Sequence, residues 1–317
     1  MAWEYEGLFD AALDPEADDI MSRYWRTEPT AIRFGTMGYR TRTIKAGSRL
    51  EAEIYPVFGK QKGEILREAK RNRTPERIRE QNISRAKRRL VLLMEENFDC
   101  GKDLAITLTY AEDGVTYRRC RQDIRNFLNR VARRRKQMGL EEAKWILAIG
   151  HDEQQRIHAH VAMSGGIGRT ELERIWGHGY ANTYQLQEQG NGLQGFANYM
   201  YRQNEQAKRA GKRENMKSWS GSRNLRKPKE RVSDSKFSRS RIRKIAYSFG
   251  NEAKEITERA YPGYRMEEYK VYCSDIVDGV YIRVTMRKIG EGGRQWLSGG
   301  RRSGSGTSGP STGTRRG

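Results

Sequence analysis

Hydrophobic and polar residues alternate along the centre of the chain in two different patterns. Four short runs are rich in apolar, β-branched and aromatic residues, which is typical of strands. These runs are 104–110, 144–150, 156–163 and 179–186. Segments 119–138 and 170–176 instead space apolar residues three and four apart, which predicts amphipathic helices, the second opened by Thr170 as its cap. The order strand, helix, strand, strand, helix, strand predicts an α+β, ferredoxin-like (split βαβ) fold. Its sheet would be mainly antiparallel with helices on one face.

Weaker patterns flank this centre. The expected strands are 41–46, 50–55, 269–273 and 279–288, and the expected helices are 74–97, 195–207 and 254–261. We therefore divide the chain into an N-terminal extension at 1–75, one domain at 76–288 and a tail at 289–317. The domain carries a very basic insertion at 208–244, and the Gly-, Ser- and Arg-rich tail is expected to be disordered.

The charge of the chain narrows the choice of partner. Lys and Arg number 61 against 40 Asp and Glu, a formal charge of +21. A polyanion is the expected partner, because basic clusters gain affinity by displacing counterions from phosphates. No apolar run approaches the roughly 18–20 residues of a spanning helix, so we expect no membrane association. Three cysteines without metal-binding spacing are consistent with a cytoplasmic protein.

The histidines are concentrated in one place. All four lie between residues 151 and 178, and two of them form His158-Ala159-His160 in an otherwise apolar strand. Positions i and i+2 of a strand share a face, so the two imidazoles could hold one divalent metal ion. A His-x-His pair can also be a simple surface feature.

A helix further along carries a candidate nucleophile. Tyr199 and Arg202 are three residues apart and share a helix face, where a guanidinium favours the ionised form of a phenol. The apolar residues Leu193, Phe196 and Met200 beside Tyr199 also fit a core aromatic.

Together these segments resemble the HUH endonucleases, which initiate rolling-circle replication. The likeness is greatest to the replication proteins of filamentous phages and of related small plasmids and mobile elements, and it runs over roughly residues 50–288. The segments that carry it are 97–110, 156–163, 198–202, 219–225 and 261–287.

The resemblance implies a metal-dependent nuclease. His158 and His160 would bind Mg²⁺ or Mn²⁺ with a third polar ligand, and imidazole suits Mn²⁺ better than Mg²⁺. Many relatives have a carboxylate where Gly150 stands, so we expect the third ligand to be His151. Glu153 and Asp103 are the alternatives for this ligand.

The resemblance also implies that Tyr199 forms a 5′-phosphotyrosine link to single-stranded DNA at a replication origin. Tyr201 is the alternative nucleophile. The expected DNA-binding residues are Arg202, Lys217, Trp219, Ser222, Arg223 and Asn224, although residues 217–227 could also be a solvated basic loop. No phosphate-binding loop of the Gly-x-x-x-x-Gly-Lys type occurs, so a host helicase and a host polymerase would be partners.

Two other functions fit parts of the pattern. A non-catalytic nucleic-acid-binding protein on a ferredoxin-like sheet would explain the charge and the fold, but the strands lack an aromatic stacking signature. A relaxase or transposase would use the same chemistry. Relaxases usually place the tyrosine before the histidines, and small tyrosine transposases are usually shorter.

Overall fold

The computed structural model describes residues 38–59, 62–71, 74–151, 156–188, 191–209, 218–248, 251–273 and 279–290. Within these ranges the chain forms ten strands and seven helices. In chain order they are β1 (Gly38–Ala46), β2 (Arg49–Val57), α1 (Lys62–Arg71), α2 (Pro75–Asn97), β3 (Leu104–Leu108), α3 (Tyr117–Gln137), β4 (Trp145–His151), β5 (Ile157–Met163), α4 (Arg169–Trp176), β6 (Ala181–Gln185), α5 (Gln194–Arg209), β7 (Ser220–Gly221), β8 (Lys229–Ser233), α6 (Arg239–Tyr247), α7 (Asn251–Ala260), β9 (Tyr264–Tyr272) and β10 (Tyr281–Lys288).

The central sheet has the strand order β6-β3-β5-β4-β7, and every neighbouring pair is antiparallel. With helices α3 and α4 as crossovers, this is the split βαβ arrangement, and the predicted α+β fold is confirmed. Apolar side chains of β3, β4 and β5 pack with those of α3 and α4 in one buried cluster. We call this side of the central sheet the crossover face.

The opposite side of the central sheet is covered by two further helices. Ala148 of β4 and Ala162 of β5 are buried against Met94 of α2 and Met200 of α5. This cover extends over β4 and β5, whereas Asn182 and Tyr184 on the edge strand β6 are exposed. The sheet is therefore closed on the crossover face and partly open on the other.

Two local predictions need correction. Helix α4 begins at Arg169 with Gly168 as its cap, and the cap residue makes no side-chain hydrogen bond. Thr170 therefore lies inside the first turn and does not cap the helix. By contrast, Thr116 caps α3, since its side chain accepts a hydrogen bond from the backbone N–H of Arg119.

A second sheet has the order β8-β1-β2-β10-β9 and packs against α6 and α7. It combines residues 38–57 with 264–288, so the predicted separation of 1–75 from the rest differs from the structure. Strand β8, inside the predicted insertion 208–244, pairs with β1 and so belongs to the same sheet. Residues 1–37 and the tail from 291 lie outside the described residues.

Helix α2 lies between the two sheets. Its Arg88 forms ion pairs with Glu51 and Glu53 of β2, which are both buried. Burial alone would raise the pKa of Glu53, but the charges of Arg88 and Arg283 lower it to about 2. Both carboxylates are therefore ionised at neutral pH, and each gains its stabilisation from guanidinium groups on neighbouring elements.

The described helices were also tested against the length and hydropathy of a membrane span. None of them is both long and apolar enough to cross a bilayer.

Candidate active site

The His158-Ala159-His160 pair lies on the central strand β5. Ile157, Ala159 and Val161 point into the cluster on the crossover face, so the alternating histidines project from the opposite face. We call that side the histidine face. The two imidazole rings are buried, with centroids 4.8 Å apart and planes at 79°. The strand thus presents two ring systems side by side.

The Nδ1 atom of each ring has a partner. His160 Nδ1 lies 3.1 Å from the hydroxyl of Thr107, which stands directly opposite it on β3. His158 Nδ1 lies 3.4 Å from the backbone carbonyl of Arg156. A carbonyl can only accept, so this contact favours the proton on His158 Nδ1 and leaves a lone pair on Nε2.

The Nε2 atom of His160 is the second nitrogen with a lone pair to offer. It is buried and has no hydrogen-bond partner among the described residues. Burial, followed by the neighbouring His158, lowers the pKa of His160 to about 3, so the ring is neutral at physiological pH. Neutral imidazole is the form that binds metal ions. The two histidines therefore fit a divalent cation.

Tyr199 reaches this pair from helix α5. Its ring centroid lies 4.8 Å from that of His160, and the residue is 38 % exposed. The start of α5 is fixed by Glu95 of α2, which accepts a hydrogen bond from the backbone N–H of Leu193. Gly192 precedes this contact with a φ of 67°, and a Cβ there would collide with Glu95. Tyr199 is thus both accessible and held beside the imidazoles.

Tyr201 occupies a different environment. It is 2 % exposed within the apolar cluster between α2, α5 and the sheet, and its hydroxyl lies 3.4 Å from the hydroxyl of Ser218. This is the position of a core aromatic, so the structure does not support Tyr201 as the alternative nucleophile. Arg202, three residues after Tyr199, is exposed.

The expected third ligand His151 is not brought to the pair. In the β4–β5 hairpin His151 pairs with Ile157, which places it on the crossover face, and Gly150 stands opposite His158 instead. Asp103 is also unsuitable. Its two carboxylate oxygens accept hydrogen bonds from the backbone N–H groups of Gly165 and Asp99, at the far end of β3.

Glu153 lies in the segment 152–155, outside the described residues. Within the described part of the chain, no three His, Cys, Asp or Glu side chains form a group able to hold a metal ion. The structure therefore supplies two nitrogen ligands and leaves the third position open.

Most of the expected DNA-binding residues have structural contacts. Ser222 exchanges hydrogen bonds with the backbone of Trp145, and Asn224 donates to the carbonyls of Glu142 and Ala143. Trp219 donates to the carbonyl of Ala86 and is partly buried. These three side chains fasten the segment to the edge of the central sheet and to α2. Arg223 is exposed, and Lys217 lies outside the described residues.

Thr107 is a site residue that the sequence analysis did not single out. It lies in the Thr-Leu-Thr strand that carries part of the resemblance, but its role follows only from the register that sets it opposite His160. An expected β3–β5 pairing in the split βαβ order could have indicated it.

One comparison with known proteins gives a match. Residues 103–204 match a family model described as Replication-associated protein, of the ORF2 and gene 2 protein type, which covers 102 of the 317 residues. The matched range includes Thr107, the histidine pair and Tyr199. No curated protein and no solved structure matches the chain. The match supports a replication-associated role and is consistent with a rolling-circle replication initiator.

Proposed function

We propose that the chain is a rolling-circle replication initiator that nicks and rejoins single-stranded DNA through Tyr199. The observation that carries this proposal is the contact of the Tyr199 ring with His160, beside His158 and within the range that matches the replication-associated family. An accessible phenol next to two buried neutral nitrogen ligands is the arrangement that a metal-assisted nucleophile requires.

The proposed reaction exchanges one phosphodiester for another. The Tyr199 hydroxyl oxygen attacks the scissile phosphorus and loses its proton, and the bond to the 3′ oxygen of the preceding nucleotide breaks. That oxygen takes up a proton and becomes a free 3′-OH, while the 5′ phosphate stays on the tyrosine. A later 3′-OH can attack the same phosphorus and release Tyr199, which rejoins the strand without an added energy source.

A divalent cation, Mg²⁺ or Mn²⁺, would be held by His158 and His160 and would act as a Lewis acid on the phosphate. The buried Nε2 of His160 and the two partnered Nδ1 atoms support this assignment, and nitrogen donors favour Mn²⁺. Glu153 is our proposal for the third ligand, because it follows the strand end that carries Gly150. Host helicase and polymerase would supply unwinding and synthesis.

The test is formation of a covalent protein–DNA adduct. The full chain is incubated with Mn²⁺ and single strands tiled across the DNA that flanks its coding sequence, and the adduct is resolved on a denaturing gel and mapped by peptide mass spectrometry. We expect attachment at Tyr199 and complete loss in Tyr199→Phe. Tyr201→Phe is the matched control and should retain the adduct, because its hydroxyl faces Ser218 in the core.

Two results would contradict the proposal. An adduct that persists in Tyr199→Phe would assign the nucleophile elsewhere. Strand binding without any adduct across the tiled set would leave the non-catalytic binding protein as the better description. His158→Ala and His160→Ala should each remove the adduct while single-strand binding remains, and full cleavage by either variant would overturn the metal assignment.

A further inference from the structure

The edge strand β6 carries two exposed tyrosines. Tyr180 and Tyr184 are 65 % and 63 % exposed, although large aromatic rings are usually at least half buried. Along β6 the residues alternate. Ala181 and Thr183 are buried, and Asn182 and Tyr184 face solvent. Tyr180 immediately precedes the strand, and its carbonyl accepts a hydrogen bond from Thr109.

These rings lie on the histidine face. Asn182 pairs with Thr107 of β3, and Thr107 pairs with His160 of β5, so the three residues form a row across the sheet. Neighbouring strands are about 4.8 Å apart, which places Asn182 about 10 Å from His160. Tyr180 and Tyr184 flank Asn182 at two residues on either side, about 7 Å along the strand. Both rings therefore stand beside the proposed reaction centre.

Cations and a cavity continue this surface. Tyr184 lines a cavity of about 390 Å³ together with Lys102, Arg169 and the backbone of Gly166 and Gly168. The two cations lie at the end of β6 that is farther from Tyr180. An aromatic row that leads into a positively charged cavity is the combination that holds single-stranded nucleic acid, because bases stack on rings and phosphates pair with cations.

We propose that β6 is the platform on which the single strand beside the scissile phosphate is held, with bases stacked on Tyr180 and Tyr184 and a phosphate near Lys102 and Arg169. The place of this platform next to a scissile phosphate depends on the proposed function. A second copy of this chain is the competing occupant of an open edge strand. Two chains of charge +21 repel each other, whereas a polyanion is attracted to the same surface.

The experiment measures single-strand affinity apart from cleavage. The full chain in EDTA is titrated with a fluorescently labelled oligo(dT) and with the strand that gives the adduct, and anisotropy is recorded. Tyr180→Ala and Tyr184→Ala should each weaken binding by about 5- to 150-fold, the effect of losing one base–ring stack. Tyr180→Phe and Tyr184→Phe are the matched controls and should bind as the parent chain does, because stacking needs the ring and not the hydroxyl.

Two further measurements do not depend on the tyrosine variants. Lys102→Ala and Arg169→Ala should each reduce the slope of log affinity against log salt by about 1, since each removes one phosphate contact. An oligonucleotide with 5-iodouracil in place of thymine, irradiated on the unaltered chain, should crosslink to the peptide that contains Tyr180 or Tyr184.

The outcomes separate this inference from the proposed function. Unchanged affinity in both alanine variants, or crosslinks confined to other peptides, overturns the platform even where Tyr199 forms its adduct. Loss of affinity that the phenylalanine variants also show overturns base stacking. If the alanine variants change self-association in sedimentation experiments and leave DNA affinity unchanged, the edge is a protein interface. Failure of the adduct test alone refutes the nuclease and leaves these binding results standing.

Discussion

The hydrogen bond between Thr107 and His160 gives the sharpest test of the metal site. Thr107→Val keeps the shape of the side chain and removes the hydroxyl that lies 3.1 Å from His160 Nδ1. A hydrogen bond of this kind contributes about 0.5–1.5 kcal/mol. At the upper end this corresponds to about a tenfold change in a binding constant. Loss of an outer-shell partner of a metal-binding histidine costs about 10- to 100-fold in affinity. We therefore expect Mn²⁺ to bind Thr107→Val about tenfold more weakly.

The assay is calorimetric titration of Mn²⁺ into chain that has been stripped with EDTA, with free Mn²⁺ followed in parallel by electron paramagnetic resonance. Thr107→Ser is the matched control, because it keeps the hydroxyl and loses only a methyl group. Thermal unfolding of each variant without metal separates ring orientation from overall stability. Equal Mn²⁺ affinity in the valine variant and the parent chain would refute the idea that Thr107 sets the orientation of His160. A parent chain that binds no Mn²⁺ would remove the metal premise itself.

Three other predictions concern the support of the site. The pKa of Glu53 is about 2 in the folded chain against an ordinary value of 4.5, so its stabilisation is complete above pH 4.5 and is lost as the pH falls towards 2. Urea titrations across that window should show a falling free energy of unfolding, and Glu53→Gln should flatten the slope. A slope that Glu53→Gln leaves unchanged would assign the acid sensitivity to other groups. Arg88→Met leaves two buried carboxylates without their shared cation and should destabilise the chain by about 3–5 kcal/mol, whereas Arg89→Met on the exposed side should cost within about 0.5 kcal/mol. Similar unfolding free energies for these two variants would contradict the role of the ion pairs. Met200→Ala empties a fully buried position between α5 and the sheet and should cost about 2–5 kcal/mol in the free energy of unfolding, and the adduct yield should also fall because α5 carries Tyr199. A destabilised variant with full adduct yield would show that packing at Met200 does not position the tyrosine.

The order of elements in the central sheet could be predicted because its signals are local. The apolar strand 104–110, the hairpin partners and the intervening amphipathic helices each follow from residue types within one segment, and the split βαβ rule then fixes their neighbours. The shared face of His158 and His160 follows in the same way from the period of a strand. These are the parts where local pattern and global fold agree.

Pairing over long distances could not be predicted in this way. Strand β8 joins β1 across about 190 residues of chain, and its exposed, charged residues give no amphipathic signal. Helices α1 and α6 were also not predicted from the sequence, since basic residues dominate both. The alternating charges Glu51 and Glu53 suggested a half-exposed strand, but the structure buries them beneath α2.

The third ligand shows how one residue of register decides a site. His151 and the pair lie in the same hairpin, and a pairing of His151 with Arg156 would have put all three side chains on one face. The observed partner is Ile157, and this shift by one residue turns His151 to the other side. Sequence alone does not fix the register of a hairpin whose two strands are both buried, because either alternation leaves apolar residues on both faces.

The partial cover of the histidine face also bears on how a template could be loaded. Helices α2 and α5 roof β4 and β5, but the side above β6 is unroofed, and Tyr199 stands at the border between the two. A groove that is open along its flank can receive a strand sideways, with no end to be threaded. A covalently closed circle could therefore enter and leave without any part of the protein having to unfold.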